Sequence, residues 1–394
     1  MNFSFILYLS PRDIFRKTGL ITGEYFNFTN HGILMQTNNT GRNYLLNYSR
    51  DEIRSYIQKM GMAPYRANQL MNGIYVQKLP DFSELTTFSK SQRNMLNDKS
   101  TLRTFKSLQI VKSDRDETTK FLWSLNDGLK IESVIIYEKN RVTFCISSQV
   151  GCALDCQFCA TGKMGYLRNL SSGEIIEQVL LMMEKTDRQA TNIVFMGMGE
   201  PLLNLKNVLK ACYIFSDPEG MAFSQKKITI STSGIAPAVR KLADMNAPFS
   251  LAVSLNAVFE EKRKKLMPVS KNYPLPLLLD NIRYYVSTTG KRVTFEYILI
   301  DGVNDSKKDA DQLIKLTSKL PCKINLIPCN SDDIRYVPTP DDRAKWFADY
   351  LHQRGKTSTV RLRKGWEIQA ACGQLYTKNE NRIGSKITEN SKYV

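Results

Sequence analysis

Three cysteines, Cys152, Cys156 and Cys159, stand within eight positions of the glycine-bounded segment "GCALDCQFCATG". Thiolate sulfur is the ligand of iron–sulfur clusters and of zinc. Their spacing, C-x3-C-x2-C, lacks the second C-x2-C pair that zinc sites commonly use, so a structural zinc would have to borrow Cys145 or Cys372. Three thiolates on a four-iron cubane leave one iron open to a small molecule. The sequence therefore predicts a [4Fe–4S] cluster with an incomplete protein ligand set, and structural zinc is the alternative.

Further along the chain, glycines and short polar residues follow segments that read as strands. The glycine-rich stretch "MGMGEPLLN" covers Met196–Asn204, and "STSG", "SLN" and "CN" end later strand patterns. Glycine lets a backbone approach a ligand closely. Short polar residues at strand ends can bind the hydroxyl groups and the base edge of a nucleoside, although each one alone could also be a helix cap.

The segments around these residues alternate between helix and strand patterns. After the cysteine segment, the amphipathic "SSGEIIEQVLLMMEK" precedes the strand pattern "TNIVFMG", and the alternation continues to "STVRLRK". Repeated βα units with short connections imply parallel strands and right-handed crossovers. Counting from "VTFCISS", about six units fit, fewer than the eight of a closed barrel, so the fold class is α/β with a partial (βα)6 barrel. Ligands of such folds bind at the carboxyl ends of the strands.

Upstream of the barrel, the sequence predicts a small helical accessory domain and a β-hairpin extension. Helical patterns begin at Ser49, which has the features of a helix cap, and "NDG" at Asn126–Gly128 is a hairpin turn signal. We expect an N-terminal extension over 1–48, a helical RNA-binding domain over 49–103, the barrel with its β extension over 104–376, and a polar tail over 377–394.

The composition favours a polyanionic partner, most often nucleic acid, because the formal net charge is +17. Lys78–Lys112 carries seven basic residues against three acidic ones, and Arg354–Lys364 carries five basic residues and no acidic one, so these are two candidate phosphate-binding surfaces. With two histidines in the chain, chemistry that depends on a histidine base is not expected.

The cysteine usage and the absence of long apolar runs bear on location. Eight cysteines in a chain this long do not make a dense disulfide framework, and four of them lie within Cys145–Cys159. This clustering indicates metal or redox chemistry in a reducing compartment, which predicts a cytoplasmic protein. No apolar run approaches the roughly 18 residues that span a bilayer, so no membrane partner is expected. Phe3–Leu9 is a poor match to a secretory signal, but the scarcity of acids in 1–50 leaves an organelle transit peptide as an alternative.

Taken together, these motifs resemble the radical S-adenosylmethionine superfamily and, within it, the dual-specificity adenosine C2-methyltransferases of 23S rRNA and tRNA. The segments that carry the resemblance are "CISSQVGCALDCQFCATG", "MGMGEPLLN", "STSG", "KINLIP" and "AACGQL", and it extends from about Ser49 to Tyr376. It implies a [4Fe–4S] cluster on Cys152, Cys156 and Cys159 and two S-adenosylmethionine molecules per turnover. The residues that it implies for binding this cofactor are Gly199, Glu200, Ser231, Ser254, Leu255, Asn256 and Asn330.

The same resemblance implies three catalytic residues. Cys372 matches the cysteine that accepts a methyl group, Cys145 matches the thiol that releases the product by forming a transient disulfide, and Glu132 matches the base that takes the ring proton. Carbon 2 of adenine is electrophilic, so conventional methyl transfer fails there and delivery as a carbon radical reverses the polarity. The expected partners are 23S rRNA, tRNA and a one-electron reductant such as flavodoxin or ferredoxin, and the protein is expected to be a monomer.

The sequence departs from the family pattern at a few places and leaves two other functions open. Asn256 stands where a histidine is common, Ser331 stands where proline often follows Asn330, and "GWEIQAACGQL" replaces a more acidic segment. These departures touch the rim of the cofactor site and the loop of Cys372. The alternatives are C8-methylation of the rRNA adenosine on the same scaffold, and a non-catalytic zinc or iron–sulfur RNA-binding protein.

Overall fold

The computed structural model describes residues 41–331 and 333–377. The first part of the chain is a small helical module. It begins and ends with two short strands that pair in parallel, β1 (Asn43–Tyr44) and β2 (Ser100–Thr101). Between them lie α1 (Arg50–Lys59), α2 (Arg66–Met71) and α3 (Lys90–Lys99). The predicted boundary of this domain at 49 therefore leaves out a strand that closes the module. Residues 1–40 and 378–394 lie outside the described residues. They include most of the predicted N-terminal extension, to which the transit-peptide alternative applies, and most of the predicted polar tail.

The predicted serine cap at the start of α1 is confirmed. The Ser49 side chain accepts a hydrogen bond from the backbone N–H of Glu52, and the Glu52 carboxylate accepts one from the Ser49 backbone N–H at 2.6 Å. This reciprocal pair satisfies two backbone donors that the first turn of a helix leaves without partners. A second capping box, at Ser89 and Gln92, begins α3 in the same way.

Next comes an antiparallel extension that leads into the barrel. Its strands are β3 (Ser107–Lys112), β4 (Thr119–Ser124) and β5 (Lys130–Glu138), followed by β6 (Arg141–Cys145). Each pairs antiparallel with the next, and the predicted turn between β4 and β5 forms at Gly128. The predicted β-hairpin extension is thus present, and β6 is its last strand as well as the first strand of the parallel array.

The parallel array forms the larger part of one ten-stranded sheet. A small antiparallel ribbon, β7 (Gln149–Gly151) and β8 (Tyr166–Asn169), stands apart from this sheet. The remaining parallel strands are β9 (Asn192–Phe195), β10 (Ile228–Thr232), β11 (Ser250–Ser254), β12 (Val293–Leu299), β13 (Cys322–Pro328) and β14 (Ser358–Val360). The strand order is β14-β13-β12-β11-β10-β9-β6-β5-β4-β3. Because β3 and β14 are at opposite ends of this order, the sheet is open, as the partial-barrel prediction requires.

Helices connect the parallel strands and cover the array. They are α4 (Ala160–Lys163), α5 (Ser172–Met183), α6 (Leu205–Phe215), α7 (Ala236–Asp244), α8 (Glu260–Leu266), α9 (Leu275–Thr289), α10 (Lys307–Thr317) and α11 (Asp341–His352). The strands carry fully buried aromatic side chains such as Phe144, Phe195 and Phe295, which pack the core of the barrel. Over 41–331 and 333–377, the helices are too short or too polar to cross a bilayer.

A buried carboxylate joins the helical module to the barrel. Glu177 of α5 is fully buried, and it accepts hydrogen bonds from the Tyr44 hydroxyl and from the backbone N–H groups of Thr104 and Phe105. Burial raises the pKa of this carboxyl, and the hydrogen bonds oppose that rise. Because an unpartnered buried carboxylate would be costly, these bonds fix the module against α5.

Candidate functional site

A single cavity gathers most of the residues that the sequence predicts for the site. Its empty volume, with the open mouth included, is about 900 Å³, which is within the range of small-molecule sites. The predicted residues that line it are Cys152, Cys156, Cys159, Gly199, Glu200, Ser231, Ser254, Asn256 and Cys372. The predicted residues outside its lining are Leu255, Asn330, Cys145 and Glu132. The cavity lies at the carboxyl ends of β9, β10 and β11, where the fold predicts a ligand site.

The loop of the three cysteines leaves the β7–β8 ribbon and ends at α4. The Cys152 backbone N–H donates to Gly165 O at 2.9 Å, and the Cys159 N–H donates to Cys156 O at 3.0 Å. Gly151 has a φ of 72°, and a Cβ there would lie 1.8 Å from Gly165 O. A glycine is therefore required at the start of this loop, and the three cysteines that follow it line the cavity.

The chemistry of this donor set fits an iron–sulfur cluster. Over the residues that the structure describes, no three His, Cys, Asp or Glu side chains converge on one point that would suit a single metal ion. A cubane does not need such convergence, because each of three thiolates binds a different iron. Burial raises the pKa of Cys152, Cys156 and Cys159, so these thiols are neutral until a cationic partner binds them as thiolates.

The glycine-rich loop after β9 forms the floor of the cavity next to the cysteines. Gly199 has a φ of 96°, and a Cβ there would lie 2.5 Å from Gln149 Cβ. Glu200 is 2% exposed; one carboxylate oxygen accepts from Leu202 N at 3.0 Å and the other from Ser233 N at 2.7 Å. Burial raises the pKa of Glu200, and these hydrogen bonds lower it. The loop thus places a backbone and a buried acid side by side at the cavity.

Asn256 occupies a position whose backbone explains the residue type. Its φ is 55°, in the left-handed region, which asparagine tolerates better than most residues. Its side-chain Oδ1 accepts from Ile298 N at 3.0 Å, and its Nδ2 lies 3.3 Å from Met267 Sδ. The side chain is therefore used by the protein itself. Because asparagine tolerates this left-handed conformation, the backbone turn at the rim of the cavity is kept although histidine is absent from this position.

Two predicted cofactor residues have other contacts. The Leu255 side chain is fully buried, and its backbone N–H donates to Glu296 O at 2.9 Å. The Asn330 amide donates to Pro328 O at 3.0 Å and accepts from Arg363 Nε at 3.0 Å. Both residues flank the strands that line the cavity, and their roles as cofactor contacts stay predictions.

The C-terminal segment carries Cys372 onto the cysteine loop, 213 residues after Cys159 in the sequence. The Ala160 backbone N–H donates to Gly373 O at 2.7 Å, and the Thr161 hydroxyl donates to Leu375 O at 2.6 Å. These two bonds connect the residues directly after Cys159 with those directly after Cys372. The fourth thiol of the cavity is thereby held beside the three others by main-chain contacts.

Glu132 ties the same segment to the antiparallel extension. It is 4% exposed on β5; one carboxylate oxygen lies 3.1 Å from Lys120 Nζ, and the other accepts from Tyr376 N at 2.8 Å. Burial raises the pKa of Glu132, while Lys120 and the Tyr376 N–H lower it. A carboxyl with a raised pKa is suited to accept a proton. The structure also gives Glu132 a second task, since it anchors the chain four residues after Cys372.

Cys145 lies at the end of β6, next to the cavity wall. Burial raises the pKa of its thiol to about 12; Cys372 adds to the rise, and Arg361 lowers it. Conversely, Cys372 in its ionised form raises the pKa of Arg361, and Cys145 and Glu296 add to this effect. The two thiols therefore share one electrostatic environment with a cation, although they are 227 residues apart.

Two polar residues at this site were missed by the sequence analysis, namely Arg361 and Glu296. Arg361 follows β14, and it was grouped with the basic stretch Arg354–Lys364 as a surface residue. Its guanidinium instead lies 4.0 Å from Met196 Sδ, and its positive charge lowers the pKa of Cys145. Glu296 lines the cavity from within the apolar strand pattern "VTFEYIL". A charged residue inside such a pattern was the signal that could have found it.

Comparisons with known proteins agree with this geometry. The radical SAM superfamily matches residues 146–314, and the ribosomal RNA large subunit methyltransferase N-terminal domain matches residues 43–102. A probable dual-specificity RNA methyltransferase RlmN of Thermotoga neapolitana is 41% identical over 336 residues, which are 85% of this chain and 98% of that protein. The dual-specificity RNA methyltransferase RlmN of Syntrophobacter fumaroxidans is 43% identical over 331 residues, 83% of this chain and 96% of that protein.

The fold has a solved counterpart. The crystal structure of a radical SAM methyltransferase from Sphaerobacter thermophilus superposes with a TM-score of 0.81 at 40% sequence identity. The match covers 84% of this chain and 98% of that one. The predicted fold class, a partial barrel with an N-terminal helical domain, is confirmed by this likeness together with the open strand order.

Proposed function

This chain belongs to the RlmN family of radical SAM RNA methyltransferases, and from that premise we propose that it methylates carbon 2 of an adenosine in 23S rRNA and in tRNA. The resemblance inferred from the sequence motifs is confirmed at the level of the family, and the protein is an enzyme. The position on the adenine ring and the identity of the RNA are our proposal, in keeping with the dual specificity named for its relatives.

The residues that would hold the cofactors line one cavity. Cys152, Cys156 and Cys159 would bind a [4Fe–4S] cluster, and Gly199 and Glu200 would face the methionine part of S-adenosylmethionine. When bound, the pair supplies one-electron cleavage of the sulfonium and the methyl group itself. We propose two molecules of S-adenosylmethionine per turnover, because a methyl donor and a radical source are both needed.

The observation that carries the proposal is the position of Cys372. A non-catalytic zinc module would use Cys372 as its fourth ligand, but over the residues that the structure describes no three His, Cys, Asp or Glu side chains are grouped to hold one metal ion. Here the main chain around Cys372 is hydrogen-bonded to the residues after Cys159, and Cys372 lines the same cavity as the three cluster cysteines. We propose that Cys372 carries the methyl group and presents it to the adenine ring.

Cys145 and Glu132 complete the proposed roles. Cys145 would attack the sulfur of the Cys372 adduct as the thiolate. The S–S bond forms as the bond between that sulfur and the methylene carbon breaks, the electron pair goes to the carbon on the adenine, and a proton completes the methyl group of the departing RNA. Glu132 would take the ring proton, in keeping with the burial that raises its pKa. Arg361 favours the thiolate form of Cys145, because its positive charge opposes the effect of burial.

We propose RNA as the substrate, held by the basic helical module, with the target adenine turned out of its stack into the cavity. A one-electron reductant such as flavodoxin or ferredoxin would reduce the cluster. Location in the cytoplasm and function as a monomer are further parts of this proposal.

The test is mass spectrometry of RNA after incubation with the anaerobically reconstituted protein, a reductant and methyl-labelled S-adenosylmethionine. We expect the label on adenine carbon 2. Label on carbon 8 would instead assign the alternative regiochemistry, and no label on any adenine would reject the proposal.

A matched pair of cysteine variants tests whether labelling of the RNA depends on Cys372. Cys372→Ala should abolish labelling, because no thiol remains to carry the methyl group. Cys322→Ala should label RNA like the parent protein, because Cys322 begins β13 and does not line the cavity. Full activity of Cys372→Ala would remove Cys372 from its assigned role.

A further inference from the structure

Glu296 is a buried acid that the proposed reaction does not yet use. It lies on β12, is 4% exposed and lines the cavity together with Ile298, two residues further along the strand. Residues i and i+2 of a strand share a face, so both side chains point from the same side of the sheet. The Glu296 side chain therefore lies on the same face of the strand as Ile298, the face that lines the cavity.

One oxygen of the Glu296 carboxylate is held by a row of polar side chains across three strands. Glu296 is opposite Asn325 of β13, and Asn325 is opposite Thr359 of β14. Asn325 Nδ2 donates to Glu296 Oε1 at 3.0 Å, and the Thr359 hydroxyl donates to Asn325 Oδ1 at 2.9 Å. This chain of bonds fixes the amide orientation of Asn325, and it fixes the carboxylate of Glu296 with it.

The other carboxylate oxygen has no such support. Glu296 Oε2 is buried and has no hydrogen-bond partner among the residues that the structure describes. Burial raises the pKa of Glu296, and Arg361 and Asn325 lower it. A buried carboxylate oxygen without a donor costs free energy, and a ligand in the cavity can supply that donor.

The neighbouring strand indicates which part of a ligand lies here. Ser254 is opposite Glu296 and lines the same cavity, and it ends β11, a place where short polar residues can bind the hydroxyl groups of a nucleoside. A ribose hydroxyl can pair with a carboxyl group in either protonation state, because it both donates and accepts. Acids recognise ribose hydroxyls in this way in dinucleotide-binding folds.

We infer that Glu296 Oε2 accepts a hydrogen bond from a ribose hydroxyl of the S-adenosylmethionine bound in this cavity. This inference rests on the proposed function, because it takes S-adenosylmethionine as the occupant. It adds to the proposed cofactor residues an acid on β12, and it gives the polar row Glu296, Asn325 and Thr359 the task of orienting the cofactor ribose.

The experiment measures binding in the absence of any reductant, so that no turnover occurs. The cluster-reconstituted protein is titrated anaerobically with S-adenosylmethionine and with its 2′-deoxy and 3′-deoxy analogues. We expect the parent protein to bind one of the analogues about tenfold or more weakly, as for loss of a hydrogen bond to a charged group. Glu296→Ala should bind that analogue and S-adenosylmethionine with equal affinity.

Two variants control this comparison. Glu296→Leu fills the space that Glu296→Ala empties, and it should likewise lose the discrimination. Thr294→Val removes a hydroxyl from the same strand without touching the cavity lining, and it should discriminate like the parent. A parent protein that binds both analogues as well as S-adenosylmethionine overturns the inference, whether or not the variants fold. Glu296 variants that keep the discrimination overturn it too.

Failure of the inference is distinguishable from failure of the proposed function. If the parent methylates RNA and the Glu296 variants discriminate as it does, only the inference is wrong. If the parent does not bind S-adenosylmethionine, both are wrong. The last part of the experiment uses RNA with a 2′-deoxyadenosine at the target position. If Glu296→Ala abolishes discrimination against this RNA but not against the cofactor analogues, Glu296 binds the RNA. The assignment of Glu296 to the cofactor is then overturned.

Discussion

Cys145 and Cys372 come from opposite ends of the barrel sequence, and the structure brings both to the charge of Arg361. A thiol attacks sulfur only as the thiolate, and burial opposes ionisation of Cys145. The guanidinium therefore lies where the proposed disulfide step needs a positive charge.

Cys145→Ala should leave the protein covalently attached to RNA. Without the thiol at 145, the adduct on Cys372 has no nucleophile that can release it. Denaturing gel electrophoresis after one turnover should show a protein–RNA band that nuclease digestion removes. Cys212→Ala, a change at a buried packing residue of α6, should give free protein. Recovery of only free protein from Cys145→Ala would contradict the role of this thiol.

Arg361→Met should slow release of the methylated RNA, and the rate of release should still rise steeply with pH. The pKa of Cys145 is raised to about 12, so at neutral pH the thiolate is a minor form whose fraction grows about tenfold with each pH unit. Loss of the cation should raise this pKa further and slow release about tenfold. Single-turnover release between pH 6.5 and 8.5 measures both effects. Arg354→Met, in the same basic stretch, should match the parent, and a pH-independent rate would count against thiolate attack.

At the scale of elements, the site depends on three backbone segments that approach one another closely. The cysteine loop, the loop after β9 and the segment around Cys372 each have a glycine with positive φ at Gly151, Gly199 and Gly373. The turn at Gly199 brings the backbone against Gln149, whose amide oxygen accepts from Glu200 N at 2.8 Å. The shape of the cavity floor thus depends on the absence of a side chain at 199.

Gly199→Ala should destabilise the fold and impair cofactor binding. Its Cβ would lie 2.5 Å from Gln149 Cβ, and its φ of 96° disfavours any other residue. We expect a loss of about 2 kcal/mol or more in the free energy of unfolding, measured by urea denaturation. Gly302→Ala is the control, because its φ of 67° is also positive but its Cβ would meet nothing within 4 Å. It should cost about 1 kcal/mol. Equal losses for the two variants would show that crowding at Gln149 has no effect.

Over the whole molecule, the formal net charge is +17, and within the described residues some of the basic side chains already have partners in the protein. In the stretch Arg354–Lys364, Arg361 lies 4.0 Å from Met196 Sδ, Arg363 donates to Asn330 Oδ1, and Lys364 donates to Tyr137 O. That stretch therefore offers RNA less charge than its composition indicates. On the helical module, in contrast, Lys90 and Lys99 are exposed at the two ends of α3.

Reversing these two charges should weaken RNA binding. Lys90→Glu combined with Lys99→Glu should lower the affinity for rRNA or tRNA fragments and reduce the slope of log affinity against log salt, because fewer counterions are released. Lys315→Glu combined with Lys319→Glu changes the net charge equally at exposed positions in and after α10 and should have a smaller effect. Equal losses for the two pairs would mean that net charge alone, and not the module, attracts the RNA.

The sequence by itself determined the features that rest on local spacing. The three cysteines, the βα alternation and the glycine-rich loops are contiguous patterns, and their chemistry follows from residue type and short-range geometry. The Ser49 cap and the turn at Gly128 were predictable for the same reason.

Only the tertiary structure decided which distant residues meet. Three findings depend on contacts between strands far apart in sequence. Glu132 anchors the segment of Cys372, the charge of Arg361 lowers the pKa of Cys145, and Glu296 lines the cavity with one carboxylate oxygen that has no partner among the described residues. The physical reason is that such contacts are fixed by sheet register and by the burial of the whole core, neither of which a short stretch of sequence contains.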